Sequence, residues 1–172
     1  ETPKPTATTK PTEATKPKET AKPTETTKPS SDVDEEKYEK VVDEFLTAAL
    51  GKSHGEGMTD LQKALALHDH LVLNCRYDMK KADSSHSAYS ALVDRIAVCE
   101  GYTRAYNDLL SRVGIEAEEV QGYGTDASGR ISGNRHEWSR VRIDGKWYHV
   151  DVTWDDAVPD AQGMVGHDYF MV

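Results

Sequence analysis

The stretch VCEGYTRAYNDLLSRVG, residues 98–114, separates a helix-forming part of the chain from a strand-forming part. Its apolar residues recur every three or four positions, which predicts a helix from about Cys99 to Val113 that ends at Gly114. The inward face of this helix is expected to comprise Tyr102, Ala105, Tyr106, Leu109, Leu110 and Val113. After Gly114 the apolar period falls to two, so strands are expected to follow.

Two helices and a helical turn are predicted before this stretch. Residues 34–50 have the apolar spacing of an amphipathic helix, and Gly51 can end it. Thr59 and Gln62 stand three positions apart and form a capping box, which predicts the start of a second helix. A short helical turn is expected over residues 88–95.

Three strands are predicted after the long helix. They cover residues 115–123, 137–143 and 146–153, with a Gly/Ser/Asp-rich loop over 124–135. Asp144-Gly145 predicts a tight hairpin between the last two strands, because a type I′ turn needs positive φ at both central residues. Helices followed by antiparallel strands predict an α+β domain.

The first thirty-one residues differ in composition from the rest of the chain. They hold six of the seven prolines, five of them in regularly spaced Lys-Pro pairs, and no aromatic or large aliphatic residue. Such a segment has nothing to bury, so we predict a disordered Lys/Thr/Pro-rich spacer over 1–31 that favours extended polyproline II. A proline-binding partner domain or O-glycosylation of this segment stays open.

The remaining residues, 32–172, are acidic and have the size of one domain. The spacer takes six of the 21 basic and four of the 30 acidic residues, which leaves 15 against 26 and a net charge of −11. Nucleic acid and anionic membranes both need a cationic surface, so neither is an expected partner. No apolar run approaches a membrane span. We expect a monomer with a helix and linker over 32–58 and a core over 59–172.

The chain begins without an initiator Met or a hydrophobic signal segment, so we expect it to be an internal or processed fragment of a longer product. The Lys/Pro/Thr-rich spacer favours a secreted or cell-surface bacterial protein. The two cysteines, Cys75 and Cys99, are too few to indicate a disulfide framework. Cys75 lies on the apolar stripe of the second helix and is expected in the core.

Three residues in chain order supply the parts of a thiol acyl-transfer site: Cys99, His136 and Asp151. A helix N-terminus favours a negatively charged sulfur, and the backbone N–H of Cys99 would point to a developing oxyanion. The alternative is a buried structural cysteine. The polar and small neighbours Glu100 and Gly101 argue against that alternative.

The predicted hairpin brings the other two residues together. The turn at Asp144-Gly145 sets a register in which His136 faces Thr153 and lies diagonally from Asp151. Side chains two apart on a strand share a face, so His136 and Asp151 can meet. An exposed salt bridge across the hairpin is the alternative interpretation.

Four separated blocks resemble the transglutaminase-like core domain of bacterial proteins. They are AVCEGY at 97–102, LLSRVGI at 109–115, HEWSRV at 136–141 and GKWYHVD at 145–151. The resemblance covers roughly residues 59–172. It implies a papain-like α+β fold and a catalytic triad of Cys99, His136 and Asp151, with no departure from the family pattern at these positions.

The resemblance also implies an activity and a helper residue. An aromatic side chain upstream of the nucleophile supports the oxyanion in transglutaminases, and Tyr89 is the candidate here, although a core role suits it nearly as well. The implied activity is acyl transfer or hydrolysis at amide bonds of a protein or peptide, with no cofactor. A binding module without catalysis on the same fold is the alternative.

Other candidates are weaker. Trp138 and Trp154 could form the walls of a substrate groove, although packing under the hairpin is the simpler interpretation; Trp147 lies nearby. His68-Asp69-His70 could suggest a metal, but residues two apart on a helix diverge and His68 lies on the apolar stripe. Three aspartates, Asp155, Asp156 and Asp160, lack the spacing of a calcium loop and are interpreted as a solvated loop. No metal site is therefore expected.

Overall fold

Helices come first in the chain and an antiparallel sheet follows, as the α+β prediction requires. The computed structural model describes residues 32–125, 131–156 and 164–172, so the predicted spacer over 1–31 lies outside the described residues. The elements are α1 (Asp32–Leu50), α2 (Asp60–Asn74), β1 (Arg76–Tyr77), β2 (Ile96–Ala97), α3 (Cys99–Arg112), β3 (Ala117–Thr125), β4 (Ile131–Ile143), β5 (Lys146–Val150) and α4 (Val152–Asp155). A 3₁₀ turn (Asp83–His86) and a π-helical turn (Ser90–Asp94) connect β1 to β2. None of the described helices is both long and apolar enough to span a membrane.

The capping box predicted for α2 is present. The side-chain oxygen of Thr59 accepts a hydrogen bond from the Gln62 backbone N–H at 3.2 Å, and the Gln62 side chain accepts one from the Thr59 N–H at 2.9 Å. Two N–H groups that the helix cannot satisfy internally are thereby paired. This fixes the start of α2 and the direction of its buried face.

Helix α3 lies at the centre of the core. Five of the six residues predicted for its inward face are fully buried, namely Tyr102, Ala105, Tyr106, Leu109 and Leu110. The Tyr106 hydroxyl donates to the carbonyl of Ala64 in α2 at 2.9 Å, so even its polar atom is satisfied inside. Because α3 is held on several sides, its first residue, Cys99, has a fixed position.

The sheet has the order β3-β4-β5 with antiparallel pairing. The predicted hairpin register is confirmed: Ile143 pairs with Lys146 and Ser139 with Val150. Asp144 and Gly145 have φ values of 50° and 78°, as a type I′ turn needs. Strand β4 begins at Ile131, earlier than predicted.

The last strand is shorter than predicted. Strand β5 ends at Val150, and the residues expected to continue it begin α4 instead. Asp151 is the N-cap of this helix: its Oδ1 accepts from the Trp154 backbone N–H at 3.1 Å. Thr153 therefore lies in a helix and does not face His136 across the sheet.

Residues 164–172 return alongside β5. The His149 N–H donates to the Val172 carbonyl at 2.9 Å, and the Asp151 N–H donates to the Tyr169 carbonyl at 3.0 Å. The apolar run at the end of the chain thus covers one edge of the sheet, next to the start of α4.

Candidate active site

Cys99 is the first residue of α3 and is partly exposed. Gly101 fixes its surroundings, because a Cβ at this position would lie 2.7 Å from the Ala97 Cβ and 2.8 Å from the Ser85 carbonyl oxygen. The missing side chain lets the first turn of α3 press against β2 and the 3₁₀ turn. The Val98 N–H donates to the same Ser85 carbonyl at 2.9 Å, which secures the approach to the helix.

The His136 ring lies between Cys99 and Asp151. Its Nε2–H donates to Asp151 Oδ2 at 2.5 Å, and Cys99 lies near enough to the ring to raise its pKa. With Nε2 occupied by the carboxylate, Nδ1 is the ring atom left for the thiol. The structure therefore brings all three residues together, although the strand prediction had expected Asp151 on β5.

Asp151 is held in one orientation by bonds to both of its side-chain oxygens. Oδ2 accepts from His136, while Oδ1 accepts from the Trp154 N–H. The residue is only 6% exposed. A buried carboxylate with this set of donors can fix the tautomer and direction of the imidazole.

The charge balance around His136 favours its protonated form. Burial alone lowers the pKa of His136, but the hydrogen bonds and negative charges of Asp151 and Cys99 outweigh it and raise the pKa to about 9. Near neutral pH the His136 ring is therefore an imidazolium, with a proton on each nitrogen. An imidazolium beside a thiol is the arrangement that stabilises a thiolate.

Two tryptophans enclose the His136 ring. Trp154 stacks on it with centroids 4.7 Å apart and planes at 9°, and Trp138 lies 5.9 Å away at 22°. The Trp138 Nε1–H donates to His149 Nδ1 at 2.8 Å. A Cβ at Gly122 would lie 2.7 Å from the Trp138 ring, so the indole lies directly over this glycine on β3.

These rings form one side of an aromatic groove of about 260 Å³ next to His136. Its lining comprises Tyr123, His136, Trp138, His149, Asp151, Trp154, Tyr169 and Val172. Tyr123, Trp154 and Tyr169 are 56%, 46% and 40% exposed, so together they present an exposed apolar surface at the groove. The two tryptophans named from the sequence both belong to this groove, whereas Trp147 packs under the Arg140 guanidinium at 4.7 Å outside it.

Tyr89, the oxyanion candidate from the sequence, faces elsewhere. Its ring stacks with Tyr38 of α1 at 6.1 Å, with the Lys37 ammonium 5.7 Å from its centroid. Tyr77 is the aromatic residue beside the nucleophile instead. It pairs with Ala97 in the β1–β2 ladder, two residues before Cys99. Its pKa is raised by burial and then by the negative charges of Cys99 and Glu100.

Sequence reasoning missed Tyr77 because two-residue strands leave no periodic pattern. It also missed the acidic residues near the site. Glu137, next to His136, is 3% exposed, and its Oε1 has no hydrogen-bond partner among the described residues. Burial raises the pKa of Glu137, and the neighbouring charges of Glu119 and Glu100 add to this. Glu100 itself lies 2.5 Å from His86 Nδ1.

The other residues that the sequence suggested for a functional site have structural roles instead. Cys75 is 4% exposed in the core, as expected, and burial raises its pKa to about 12. His70 packs edge-on against Phe45, away from His68. The solvated-loop interpretation was wrong for Asp155 and Asp156, which are 3% and 6% exposed.

Both buried aspartates have clear partners: Asp155 binds His68, and Asp156 accepts from the Tyr102 hydroxyl at 2.6 Å. Each therefore connects the segment after β5 to a core helix. The third aspartate of that group, Asp160, lies outside the described residues.

The fold and the site together define a transglutaminase-like protein of the α+β class. A family model described as the transglutaminase-like superfamily matches residues 47–152, and the chain belongs to this superfamily. Among curated proteins it is similar to kyphoscoliosis peptidase of Homo sapiens, 25% identical over 128 residues, and of Mus musculus, 25% identical over 114 residues. These alignments cover 69% and 61% of this chain but only 19% and 17% of the relatives.

Two solved structures share the fold. A TGase crystal structure matches with a TM-score of 0.52 and 18% identity, covering 70% of this chain and 31% of that one. A protein from Cytophaga hutchinsonii assigned as a cysteine protease matches with a TM-score of 0.52 and 22% identity, covering 67% of this chain and 37% of that one. This chain therefore spans about a third of each solved relative.

Proposed function

We propose that the protein is a thiol enzyme that acts on amide carbonyls of proteins or peptides. The observation that supports this most strongly is the position of His136, which donates a hydrogen bond to Asp151 and lies next to Cys99. The Cys99 sulfur would attack the carbonyl carbon, and the His136 proton would pass to the departing nitrogen. The products of this half-reaction are a thioester on Cys99 and ammonia or an amine.

The second half-reaction regenerates the thiol. An amine or a water molecule attacks the thioester carbonyl, His136 takes its proton, and the sulfur departs as a thiolate beside the imidazolium, which restores the starting pair. An amine acceptor makes the reaction a transamidation, and water makes it a hydrolysis. The groove at His136 would admit the acceptor, with Trp138 and Trp154 as its walls.

The tetrahedral intermediate needs donors for its oxyanion. The Cys99 backbone N–H is at the first position of α3, where no intrahelical carbonyl is available to it. Tyr77 lies on the neighbouring short strand β1, and its hydroxyl replaces that of Tyr89 as the proposed side-chain donor.

We also propose a secreted or cell-surface location with a protein or peptide as partner. The Lys/Pro/Thr-rich composition of residues 1–31 supports this location. The groove beside His136 is lined mainly by aromatic side chains, which can make apolar contacts with side chains of a bound peptide.

Mass spectrometry of a peptide library tests the function. The protein is incubated with the library with and without a primary amine, and the product masses separate transamidation, deamidation and cleavage. Cys99→Ala should abolish every product, while Cys75→Ala, a buried thiol outside the site, should retain them. Turnover that survives Cys99→Ala would overturn the proposal.

Alkylation tests the activated thiol independently of any substrate. Iodoacetamide at pH 6 should modify Cys99 faster than an ordinary exposed thiol, because the adjacent imidazolium stabilises the thiolate. If Cys99 reacts like an ordinary thiol, and if the Cys99→Ala variant still binds peptides in the aromatic groove, the binding-module alternative is favoured.

A further inference from the structure

A second group of titratable side chains lies where the C-terminal segment crosses α2, outside the catalytic trio. His68 Nδ1 is 2.9 Å from Asp69 Oδ1, and His167 Nε2 is 2.8 Å from the same oxygen. One ligand-type atom from each of these three residues lies within 4.8 Å of the others. Sequence proximity suggested His70 as the third member, but His167, 98 positions from Asp69, occupies that place.

A neutral His68 ring cannot donate a hydrogen bond to both of the carboxyl groups that face it. Its Nε2 is 3.1 Å from Asp155 Oδ2 while its Nδ1 faces Asp69, so a carboxylate oxygen lies at both nitrogens. A neutral imidazole has one N–H and can donate to only one of them. If Nε2 donates to Asp155, the Nδ1 lone pair points at an oxygen that also carries lone pairs. A cation between the two removes this conflict.

The charges of the group also call for a cation. His68 and Asp155 are 0% and 3% exposed, so this imidazole–carboxyl pair lies in the interior, where polar groups need bound partners. Within the part of the chain that the structure describes, the ion-pair partners of Asp69 and Asp155 are histidines. Two carboxyl groups and two imidazole rings therefore converge here, and a divalent ion would supply positive charge for the carboxyl groups to bind.

We propose that His68, Asp69 and His167 bind a zinc ion. Two imidazole nitrogens and one carboxylate oxygen form a donor set that Zn²⁺ binds. The Asp69 oxygen lies 2.9 and 2.8 Å from the two nitrogens, near the roughly 3.3 Å between ligands of a tetrahedral zinc ion. Asp155 at the far nitrogen of His68 is the outer-shell carboxylate that orients a metal-bound histidine. Asp69 and His167 have side chains 34% and 47% exposed, which leaves a route for entry and a fourth position for water.

The ion would have a structural role next to the groove. His167 stands two residues before Tyr169, whose ring lies in the groove and whose N–H donates to Asp155 Oδ1 at 3.0 Å. Binding would therefore join the C-terminal segment to α2 and fix one wall of the groove. None of the three proposed ligands belongs to the catalytic trio, so the ion has no assigned part in the thiol chemistry.

Direct metal binding tests this inference without an activity assay. The tag-free full chain is stripped with a chelator and titrated with Zn²⁺ by calorimetry, and with Co²⁺ by visible absorption. We expect one equivalent of Zn²⁺, a rise in Tm on binding, and an intense Co²⁺ band of tetrahedral type. His167→Gln, at an exposed position, and Asp69→Asn, at a partly buried one, should each weaken Zn²⁺ binding at least about tenfold.

His70→Gln is the matched control, because His70 is adjacent in sequence but packs on Phe45. It should bind Zn²⁺ like the unchanged protein. Without metal, His167→Gln should melt close to the unchanged protein, so that the difference appears only when Zn²⁺ is added. The absence of stoichiometric Zn²⁺ binding, or binding that His167→Gln leaves intact, would overturn the inference and leave a hydrogen-bonded His–Asp network.

Discussion

At the scale of single residues, the proton on His136 is the most informative feature. Its pKa is raised to about 9 because the bonds and charges of Asp151 and Cys99 outweigh the effect of burial. We therefore expect the alkaline limb of kcat/KM to fall near pH 9, where the imidazolium is lost. A rate profile between pH 5 and 11 measures it.

Asp151→Asn should change both turnover and this profile. The amide can still cap the Trp154 N–H, so the fold should persist, but the charge that supports the imidazolium is lost. Turnover should fall by orders of magnitude, on the order of 10⁴ as for the equivalent change in a serine triad, and the alkaline limb should move to lower pH. If Asp151→Asn and the unchanged protein have the same kinetics, Asp151 has no part in the mechanism.

The same pKa has a consequence for stability. A raised folded pKa means that the stabilising contribution of His136 is complete below pH 6.5 and is lost as pH rises through about 9. Thermal unfolding of the unchanged protein should therefore show a loss of Tm in this window. Asp151→Asn should show a smaller loss, and a pH dependence identical in both proteins would contradict this.

Gly122 leaves room for the Trp138 indole, which lies where a side chain at position 122 would be. A Cβ here would meet the Trp138 ring at 2.7 Å, so Gly122→Ala should displace the indole from the groove without unfolding the sheet. We expect a higher KM with a smaller change in kcat. Glu118→Ala on the same strand removes only an exposed ion pair with Arg140 and should leave both constants unchanged.

At the scale of elements, the junction of β2 and α3 controls the nucleophile. Gly101→Ala would place a methyl group 2.8 Å from a backbone carbonyl, which cannot move as a flexible side chain does. The helix start must shift, and we expect a stability loss of about 1–3 kcal/mol together with slower alkylation of Cys99. Ser111→Ala, exposed on the same helix, is the control. Denaturant unfolding and iodoacetamide kinetics give both readouts.

Local patterns explain which elements could be predicted. The helices α1 to α3, the capping box and the turn at Asp144-Gly145 depend on residues within a few positions of one another, and sequence periodicity reveals them. The end of β5 was missed because Asp151 was considered only as a strand residue. An Asp is also a preferred N-cap, so the sequence carried a signal for α4 that the hairpin pattern obscured.

Long-range placement explains what could not be predicted. The order of Cys99, His136 and Asp151 suggested a site, but the sequence alone could not show that Tyr77 lies beside the strand that leads to Cys99, because this depends on the β1–β2 ladder. The approach of His167 to Asp69 depends on the path of the C-terminal segment across α2. Neither contact has a counterpart in local spacing.

At the scale of the whole molecule, α1 belongs to the folded unit although the family match begins at residue 47. Tyr38, Val42, Phe45 and Leu46 are all less than 9% exposed in the common core. The Tyr38 hydroxyl donates to Asp108 Oδ2 of α3 at 2.7 Å. Arg112 of α3 forms two bonds with the Glu39 carboxylate, at 2.5 and 2.7 Å. The helix therefore supports the same α3 that presents Cys99.

Two truncations separate the spacer from this helix. Removal of residues 1–31 should leave Tm and kcat/KM unchanged, because that segment has no large apolar side chain to contribute to the core. Removal of residues 1–50 exposes the surface that α1 covers, at about 1.5–3 kcal/mol for each large apolar side chain lost, so the product should be unfolded or readily cleaved by protease. A stable, active product of the longer truncation would show that the core folds without α1, and a fall in Tm after the shorter one would show that the spacer packs on the domain.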